Sequence, residues 1–141
     1  MAYDVQKMDV WVAEIDDRPG ALDEKLAALA AANIDLAFLL ARRQPQTPGK
    51  GIVFLSGIKG AKAQKAAAAA GLSKASDIFA VRIEGRNKPG ACQQITQRVA
   101  ENGLNLRGVS ATVIGNKFAA VFAFDSEEDA KKAIRLIKAI K

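Results

Sequence analysis

The sequence predicts an α+β protein in which one supersecondary design is used twice. Arg18-Pro19-Gly20 returns as Lys88-Pro89-Gly90, and the offset (90 − 20 = 70 residues) is close to half of the 141-residue chain. Each tripeptide follows a run rich in strand-forming residues and precedes a run with apolar residues at helical spacing. A period of this size indicates an internal repeat, so fold and function are argued for each copy.

The first copy shows the order strand, helix, strand, strand, helix. Pro19 presets the backbone for the first turn of a helix, and Leu22, Leu26 and Leu29 then recur at helical spacing. Gly71 is a favourable stop for the second helix, which is rich in alanine. The predicted elements are residues 10–15, a helix from Pro19 to Asn33, and residues 34–40, 52–55 and 59–70.

The second copy repeats this order. Gly115-Asn116 is a two-residue hairpin sequence between two strand-forming runs. Ser126 is a favourable N-cap for the last helix, and three acidic residues follow it in the first turn, where the helix dipole stabilises negative charge. The predicted elements are residues 78–83, a helix from Pro89 to Gly103, residues 104–114, residues 117–124 and a helix from Ser126 to Ile140.

The composition argues against an enzyme. The chain has no histidine, the side chain whose ordinary pKa lies nearest neutrality, so acid–base catalysis would need a strongly tuned carboxylate or lysine. The single cysteine, Cys92, excludes an intrachain disulfide and leaves no Cys/His zinc pattern. Because no activating base accompanies Cys92 in the sequence, we interpret it as a buried small hydrophobe. We expect no catalytic residue, no metal site and no cofactor.

Length and hydropathy predict a soluble cytoplasmic protein. Hydrophobic residues make up 50% of the 141 positions, which is enough for a core without covalent staples. The sequence begins without an apolar stretch of signal-peptide length, and no run approaches the ~20 apolar residues of a membrane span.

The residues around the second Pro-Gly turn resemble a known family. Asn87, Lys88-Pro89-Gly90, the helix that follows and the run from Asn102 to Leu106 are similar to the ACT domain, a small amino-acid-sensing regulatory module. The likeness continues through the hairpin and the last helix, and it is strongest to the serine-sensing ACT domain of phosphoglycerate dehydrogenase. The resemblance implies two ferredoxin-like ACT repeats of type βαββα, residues 1–76 and 77–141.

The resemblance also implies an amino-acid site where the first strand of each repeat meets its first helix. In the serine-sensing module, asparagines before the turn and at the start of the second strand hold the ligand. Asn87 and Asn105 stand at these positions in the second copy, and Asp17 and Asp35 stand there in the first. The candidate ligand-binding residues are Asn87, Lys88, Pro89, Gly90, Asn105, Asp17, Arg18, Pro19, Gly20 and Asp35. The implied protein is a stand-alone regulator, and either the enzyme that it regulates is a separate polypeptide or the module acts alone.

The chemistry of the turns favours the second copy. Gly20 and Gly90 allow close approach to the backbone, and the unpaired N–H groups of a helix N-terminus suit a carboxylate. An asparagine amide offers a donor and an acceptor, which matches the carboxylate and the ammonium group of an amino acid. Ionised Asp17 is an acceptor only and repels the α-carboxylate, so we expect weaker or different binding in the first copy.

The arrangement of the two copies is inferred from what they lack. The family unit ends in a further strand beside its first strand, and neither copy shows that strand. We therefore expect the two opening strands to pair with each other. This arrangement gives one antiparallel sheet of six strands with four helices on one face and both ligand turns near the junction.

The face of the sheet away from the helices is expected to be apolar. Period-two alternation turns Phe118, Ala120, Phe122 and Phe124 toward the helices. The same reasoning turns Ala119, Val121, Ala123, Val53 and Leu55 outward. Because an antiparallel sheet that faces water is normally polar on that side, we predict a homodimer packed through the open sheet face. Trp11 and Phe79 are assigned either to the core or to this interface, and the core is the favoured place for each.

A net charge of +6 keeps a second function open, that of a basic RNA-binding or protein-interaction module without a small ligand. RNA-recognition motifs share the ferredoxin-like layout and carry aromatic residues on the open face of the third strand. The outward positions expected here, Val53, Leu55, Ala119 and Val121, are not aromatic. The lysines are spread over helix faces, so nucleic acid is the less favoured ligand and a membrane is not expected.

Overall fold

The computed structural model describes residues 2–141 and divides them into two compact units. One unit is Asp9–Ala75, and the other consists of Ser76–Lys141 together with the N-terminal strand. The elements in chain order are β1 (Tyr3–Met8), β2 (Trp11–Asp16), α1 (Ala21–Ala31), β3 (Phe38–Arg43), β4 (Lys50–Ser56), α2 (Gly60–Ala69), β5 (Ser73–Lys74), β6 (Phe79–Arg86), α3 (Ala91–Glu101), β7 (Gly108–Ile114), β8 (Lys117–Phe124) and α4 (Glu127–Lys138).

The unit Asp9–Ala75 contains an antiparallel sheet of four strands in the order β3-β4-β2-β5. Trp11, Val53 and Leu55 point from this sheet into a core that they share with Leu29 of α1 and Ala67 of α2. Trp11 is therefore the core residue that the sequence predicts.

The second unit contains a separate four-stranded sheet in the order β1-β6-β8-β7. Strand β1 runs antiparallel to β6, and Tyr3 lies opposite Gly85 in this register. The core combines alternate residues of the strands with the apolar stripes of α3 and α4, and Phe122 and Phe124 are fully buried in it. Phe79 is half-buried and packs against the same core, as predicted.

The expectation of a single six-stranded sheet is wrong. The two opening strands, β2 and β6, do not pair with each other, because each already has two neighbours. Strand β5 supplies the last strand of the first repeat, and the chain start supplies the last strand of the second. Each unit thus has the full ferredoxin-like set of four strands and two helices. Residues 2–8, which the sequence assigns to the first repeat, belong with the second.

The predicted orientation of Val53 and Leu55 is also wrong. Both side chains are buried in the core, whereas Ile52 and Phe54 are half-buried on the opposite face of β4. A shift of one residue in register reverses every side chain of a strand, and the short prediction of residues 52–55 did not fix the register. In β8 the prediction is confirmed, since Phe118, Ala120, Phe122 and Phe124 are the buried positions.

The second strand of each repeat begins later than predicted, at Phe38 and at Gly108. The reason is that the preceding residues still close the helix. The N–H of Ile34 donates to the carbonyl oxygen of Leu29 at 3.1 Å, and the N–H of Leu104 donates to that of Val99 at 3.2 Å. The hairpin at Gly115-Asn116 and the Ser126 cap are confirmed, with Ser126 Oγ accepting a hydrogen bond from the N–H of Asp129 at 3.0 Å.

Candidate functional site

The turn between β6 and α3 is held by its backbone. Gly90, the N-cap of α3, has φ of 84°, a left-handed conformation that favours glycine. The N–H of Asn87 donates to the carbonyl oxygen of Asn116 at 2.8 Å, which ties the turn to the β7–β8 hairpin. The N–H of Ala91 donates to Lys88 O at 3.1 Å. Within residues 2–141, no acceptor is recorded for the N–H groups of Cys92 and Gln93, so both remain available to an anion.

A groove of about 250 Å³ lies beside this turn. The turn contributes Asn87, Lys88 and Gly90, and the first turn of α3 contributes Ala91 and Cys92. The other wall and the floor are Ala111, Thr112, Val113 and Phe118 from β7 and β8. Strand β7 is the edge of its sheet, and its side chains are largely exposed, so the groove opens between α3 and this edge.

The floor of the groove is built by an aromatic pair. The ring of Tyr3 meets that of Phe118 edge to face, with the ring centroids 5.7 Å apart. Phe118 stands directly opposite Gly85 on the neighbouring strand, and the absence of a side chain there makes room for both rings. The hydroxyl of Tyr3 donates to Oε1 of Gln94 in α3. Burial raises the pKa of Tyr3, so this hydroxyl stays protonated and remains a donor near neutral pH.

Three cations surround the second turn. Arg86 and Lys117 face each other across β6 and β8, and Lys88 follows in the turn itself. In the part of the chain that the structure describes, none of the three forms an ion pair with a carboxylate. Of the three, Lys88 lines the groove, and together with the helix N-terminus it makes this end of the groove attractive to an anion.

The corresponding turn of the first repeat has the same backbone but different charges. Gly20 has φ of 87°, and the N–H of Asp17 donates to the carbonyl oxygen of Gly49 at 2.9 Å. Ion pairs cross this turn: Asp17 with Arg43 at 2.9 Å, Asp16 with Lys50 at 2.7 Å and Arg18 with Glu24 at 2.8 Å. The side chains that would meet a ligand here are already paired with one another.

These ion pairs also shift the ionisation of their members. The hydrogen bond and the charge of Lys50 lower the pKa of Asp16, and those of Arg18 lower the pKa of Glu24. In return, Asp16 raises the pKa of Lys50 and Glu24 raises that of Arg18. All four groups are therefore charged at neutral pH, and the network persists there.

The structure gathers some of the predicted site residues and separates others. Asn87, Lys88 and Gly90 line the groove, whereas Pro89 belongs to the turn without lining the groove. Asn105 and Asp35 are exposed in the segments before β7 and β3, and Asn105 is not part of the lining. Cys92 is half-buried, packed against the core and exposed to the groove, so its interpretation as a buried hydrophobe holds only in part.

Sequence reasoning missed the walls of the groove. Ala111, Val113 and Phe118 are distant from the Pro-Gly turn in sequence and reach it only through strand pairing. The alternation of β8 did indicate that Phe118 faces the helices, but it could not place Phe118 at the turn.

Neither a membrane-spanning helix nor a metal-binding cluster is present in the described residues. Among them, no helix has both the length and the apolar character needed to cross a membrane. Within the same residues, His, Cys, Asp and Glu side chains do not form a group of three or more that could hold a metal ion.

Solved structures resemble this chain over nearly all of its length. Protein BT0572 of Bacteroides thetaiotaomicron superposes with a TM-score of 0.74 at 19% identity and covers 95% of this chain and 90% of its own. The ligand-free regulatory subunit of aspartate kinase from Thermus thermophilus gives a TM-score of 0.67 at 18% identity, with 100% and 98% covered. The same subunit from Thermus flavus gives 0.61 at 18% identity, with 98% and 95% covered. At these identities the likeness establishes the fold.

The family assignment comes from the sequence. A comparison with curated protein sequences found no match to this chain. The sequence pattern of the ACT domain pair, in contrast, matches residues 4–140, a range that covers both repeats and all of β1 except Tyr3. The chain belongs to the ACT domain pair family.

Proposed function

We propose that this protein is a regulatory sensor that binds a small amino acid in the groove beside the β6–α3 turn. The observation that carries the proposal is the combination, in one place, of an open groove, available N–H groups and an unpaired lysine. Membership of the ACT domain pair family supports it, because the ACT domain is a regulatory module. The histidine-free sequence also fits a binding protein without catalytic activity of its own.

The two charged ends of an amino acid match different parts of the turn. The N–H groups of Cys92 and Gln93 and the ammonium group of Lys88 would receive the α-carboxylate. The side-chain carbonyl of Asn87 would accept from the α-ammonium group, and its NH₂ group can donate to the carboxylate. We retain Asn105 as a binding residue, which reaches the amino acid if the segment before β7 folds over it.

The first repeat is proposed to bind more weakly or not at all. Arg43 neutralises Asp17, and the remaining ion pairs occupy the groups around Gly20. An entering amino acid would have to break these pairs, and each charge that it displaced would need a new partner. The two turns thus share a backbone design, and only the second leaves its polar groups free.

Calorimetric titration of the full chain with single amino acids tests this proposal. Asn87→Ala and Asn105→Ala should weaken binding about tenfold or more, since a hydrogen bond to a charged group contributes about 1.5–3 kcal/mol. Asp17→Ala is the matched control at the corresponding position of the first repeat, and it should leave the affinity nearly unchanged. Equal losses for all three variants would contradict the assignment to the second turn. The absence of heat with every amino acid would reject the sensor.

The sensor is proposed to act on a separate enzyme in the cytoplasm. Two of the structural relatives are regulatory subunits of aspartate kinase, which shows that proteins of this fold serve as regulatory subunits elsewhere. We also retain the homodimer through the open sheet face. Ala119, Val121 and Ala123 are half-buried there, and Arg82 and Glu84 form an ion pair at 2.7 Å on the same face of β6. A monomeric mass by light scattering would reject the homodimer.

Nucleic-acid binding remains the second candidate because the open face of one strand carries an aromatic residue, contrary to the sequence prediction. Phe54, rather than Leu55, lies on the open face of β4, and Leu40 stands opposite it on β3. An aromatic side chain on this face can stack on a base, and Arg42 on the same face could contact phosphate. Filter binding to single-stranded RNA with a steep salt dependence, abolished by Phe54→Ala, would support this function.

A further inference from the structure

We infer that the groove selects amino acids with an uncharged aliphatic side chain, such as valine, leucine, isoleucine or methionine. This inference rests on the proposed function and adds the class of ligand. It follows from the chemistry of the surface that a ligand side chain would touch once the α-carboxylate and the α-ammonium group are held at the turn.

The surface beyond the turn is apolar. Ala91 of α3 lies on one side, Ala111 and Val113 of β7 lie on the other, and Phe118 forms the floor. Thr112 alternates with its neighbours and pairs with Ala119, so its hydroxyl belongs to the opposite face of the strand. A ligand side chain that points away from the turn therefore meets a mostly apolar surface.

Charged side chains are disfavoured on this surface for two reasons. Among the described residues no carboxylate lines the groove, so the ammonium group of a lysine would lose water without gaining a partner. In the described part of the chain, Lys88 is the one charged residue of the lining, and at the turn it would pair with the α-carboxylate of the ligand. A second carboxylate on the ligand would have to face Val113 or Phe118 unpaired.

The first repeat shows that the fold does not require this apolar wall. Arg43 pairs with Gly51 in the register in which Val113 pairs with Phe118, so an arginine and a glycine replace the valine and the phenylalanine. Arg43 is held by Asp17, and the space above Gly51 is taken by the side chain of Ile15. The apolar wall is thus a property of the second groove alone.

Calorimetric titration of the full chain with a panel of L-amino acids tests the inference. The aliphatic members should bind about tenfold tighter than serine, aspartate and lysine, and each added methylene from alanine upward should tighten binding about fourfold until the groove is full. Val113→Arg introduces the residue of the first repeat and should weaken aliphatic binding about tenfold or more. Val113 is 53% exposed, so this variant should still fold, which circular dichroism checks.

Val109→Arg is the matched control. Val109 is 50% exposed on the same strand and points to the same face, but it does not line the groove. The affinity of the Val109→Arg variant for aliphatic amino acids should stay within about twofold of that of the unchanged protein. Equal losses in the two variants would reject Val113 as part of the site.

The possible failures are distinct. Tightest binding of serine, aspartate or lysine would overturn the aliphatic class and leave the amino-acid sensor intact. No binding of any amino acid would overturn both. If Val113→Arg left all affinities unchanged but lowered the solution mass of the ligand-free protein, the apolar wall would be an interface with a second copy, and the inference would be wrong.

Discussion

Gly85 has no room for a side chain, although its backbone is ordinary strand. A methyl group at this position would lie 2.5 Å from Cδ1 of Tyr3 and 3.0 Å from Cε1 of Phe118. Both rings are buried and touch each other, so neither can move aside without loss of packing. Position 85 therefore requires glycine because two rings close over it. Positions 20 and 90 instead favour glycine because of their positive φ.

Gly85→Ala should lower the free energy of unfolding by about 1–3 kcal/mol, the usual cost of extra volume in a packed core. It should also weaken amino-acid binding, because the displaced Phe118 ring is the floor of the groove. Denaturant unfolding and calorimetry measure the two effects. Gly108→Ala is the control, since among residues 2–141, its two chain neighbours aside, no atom lies within 4 Å of a methyl group there. A neutral result for Gly85→Ala would show that Tyr3 and Phe118 pack less rigidly than the structure indicates.

The four helices are the elements that the sequence predicts best, because their evidence is local. Proline, glycine and serine mark their ends, and the apolar spacing of α3 and α4 marks their buried faces. The groove is only half predictable for the same reason. The Pro-Gly repeat locates the turn at Gly90, whereas Val113 and Phe118 reach it through pairing that leaves no local pattern.

The two strands that the sequence analysis missed, β1 and β5, show two different limits of strand prediction from sequence. Strand β5 has only two residues, Ser73 and Lys74, and both are exposed, so it has no alternation to detect. Strand β1 does alternate, with Tyr3 and Val5 buried, but it completes a sheet whose other strands begin at Phe79. The family pattern places the final strand at the end of each repeat, whereas the order of strands in a sheet need not follow the order along the chain.

The ion pairs of the β2–α1 turn make the stability of their unit depend on pH. The pKa values of Asp16 and Glu24 are lowered in the folded protein, so their ion pairs stabilise the unit Asp9–Ala75 above the ordinary carboxyl range. This contribution is lost as the pH falls through the lowered values. Lys50→Gln removes the main cause and should move the pKa of Asp16 back toward its ordinary value in an NMR carboxyl titration. An unchanged titration would show that Lys50 does not hold Asp16 in solution.

At the scale of the whole molecule, β1 takes the place of the final strand of the second repeat, although it comes first along the chain. The N–H of Ala2 donates to the carbonyl oxygen of Ile140 at 3.2 Å, so the chain enters β1 beside the place where α4 ends. A fragment of residues 77–141 lacks β1, which leaves the β6 edge unpaired and removes the Tyr3 and Val5 side chains from the core. We expect this fragment to show no cooperative thermal unfolding.

A permuted fragment should recover the fold. If residues 2–8 follow Lys141 through a short Gly-Ser linker, the strand order along the chain becomes that of an ordinary βαββαβ unit, and β1 can pair with β6 as it does in the full protein. This fragment should unfold cooperatively in calorimetry, and Tyr3→Ser within it should lower the melting temperature because a buried ring and its contact with Phe118 are lost. Cooperative unfolding of residues 77–141 alone, at the same temperature as the permuted fragment, would mean that β1 is dispensable. The core contacts of Tyr3 and the six paired residues of β1 predict the opposite result.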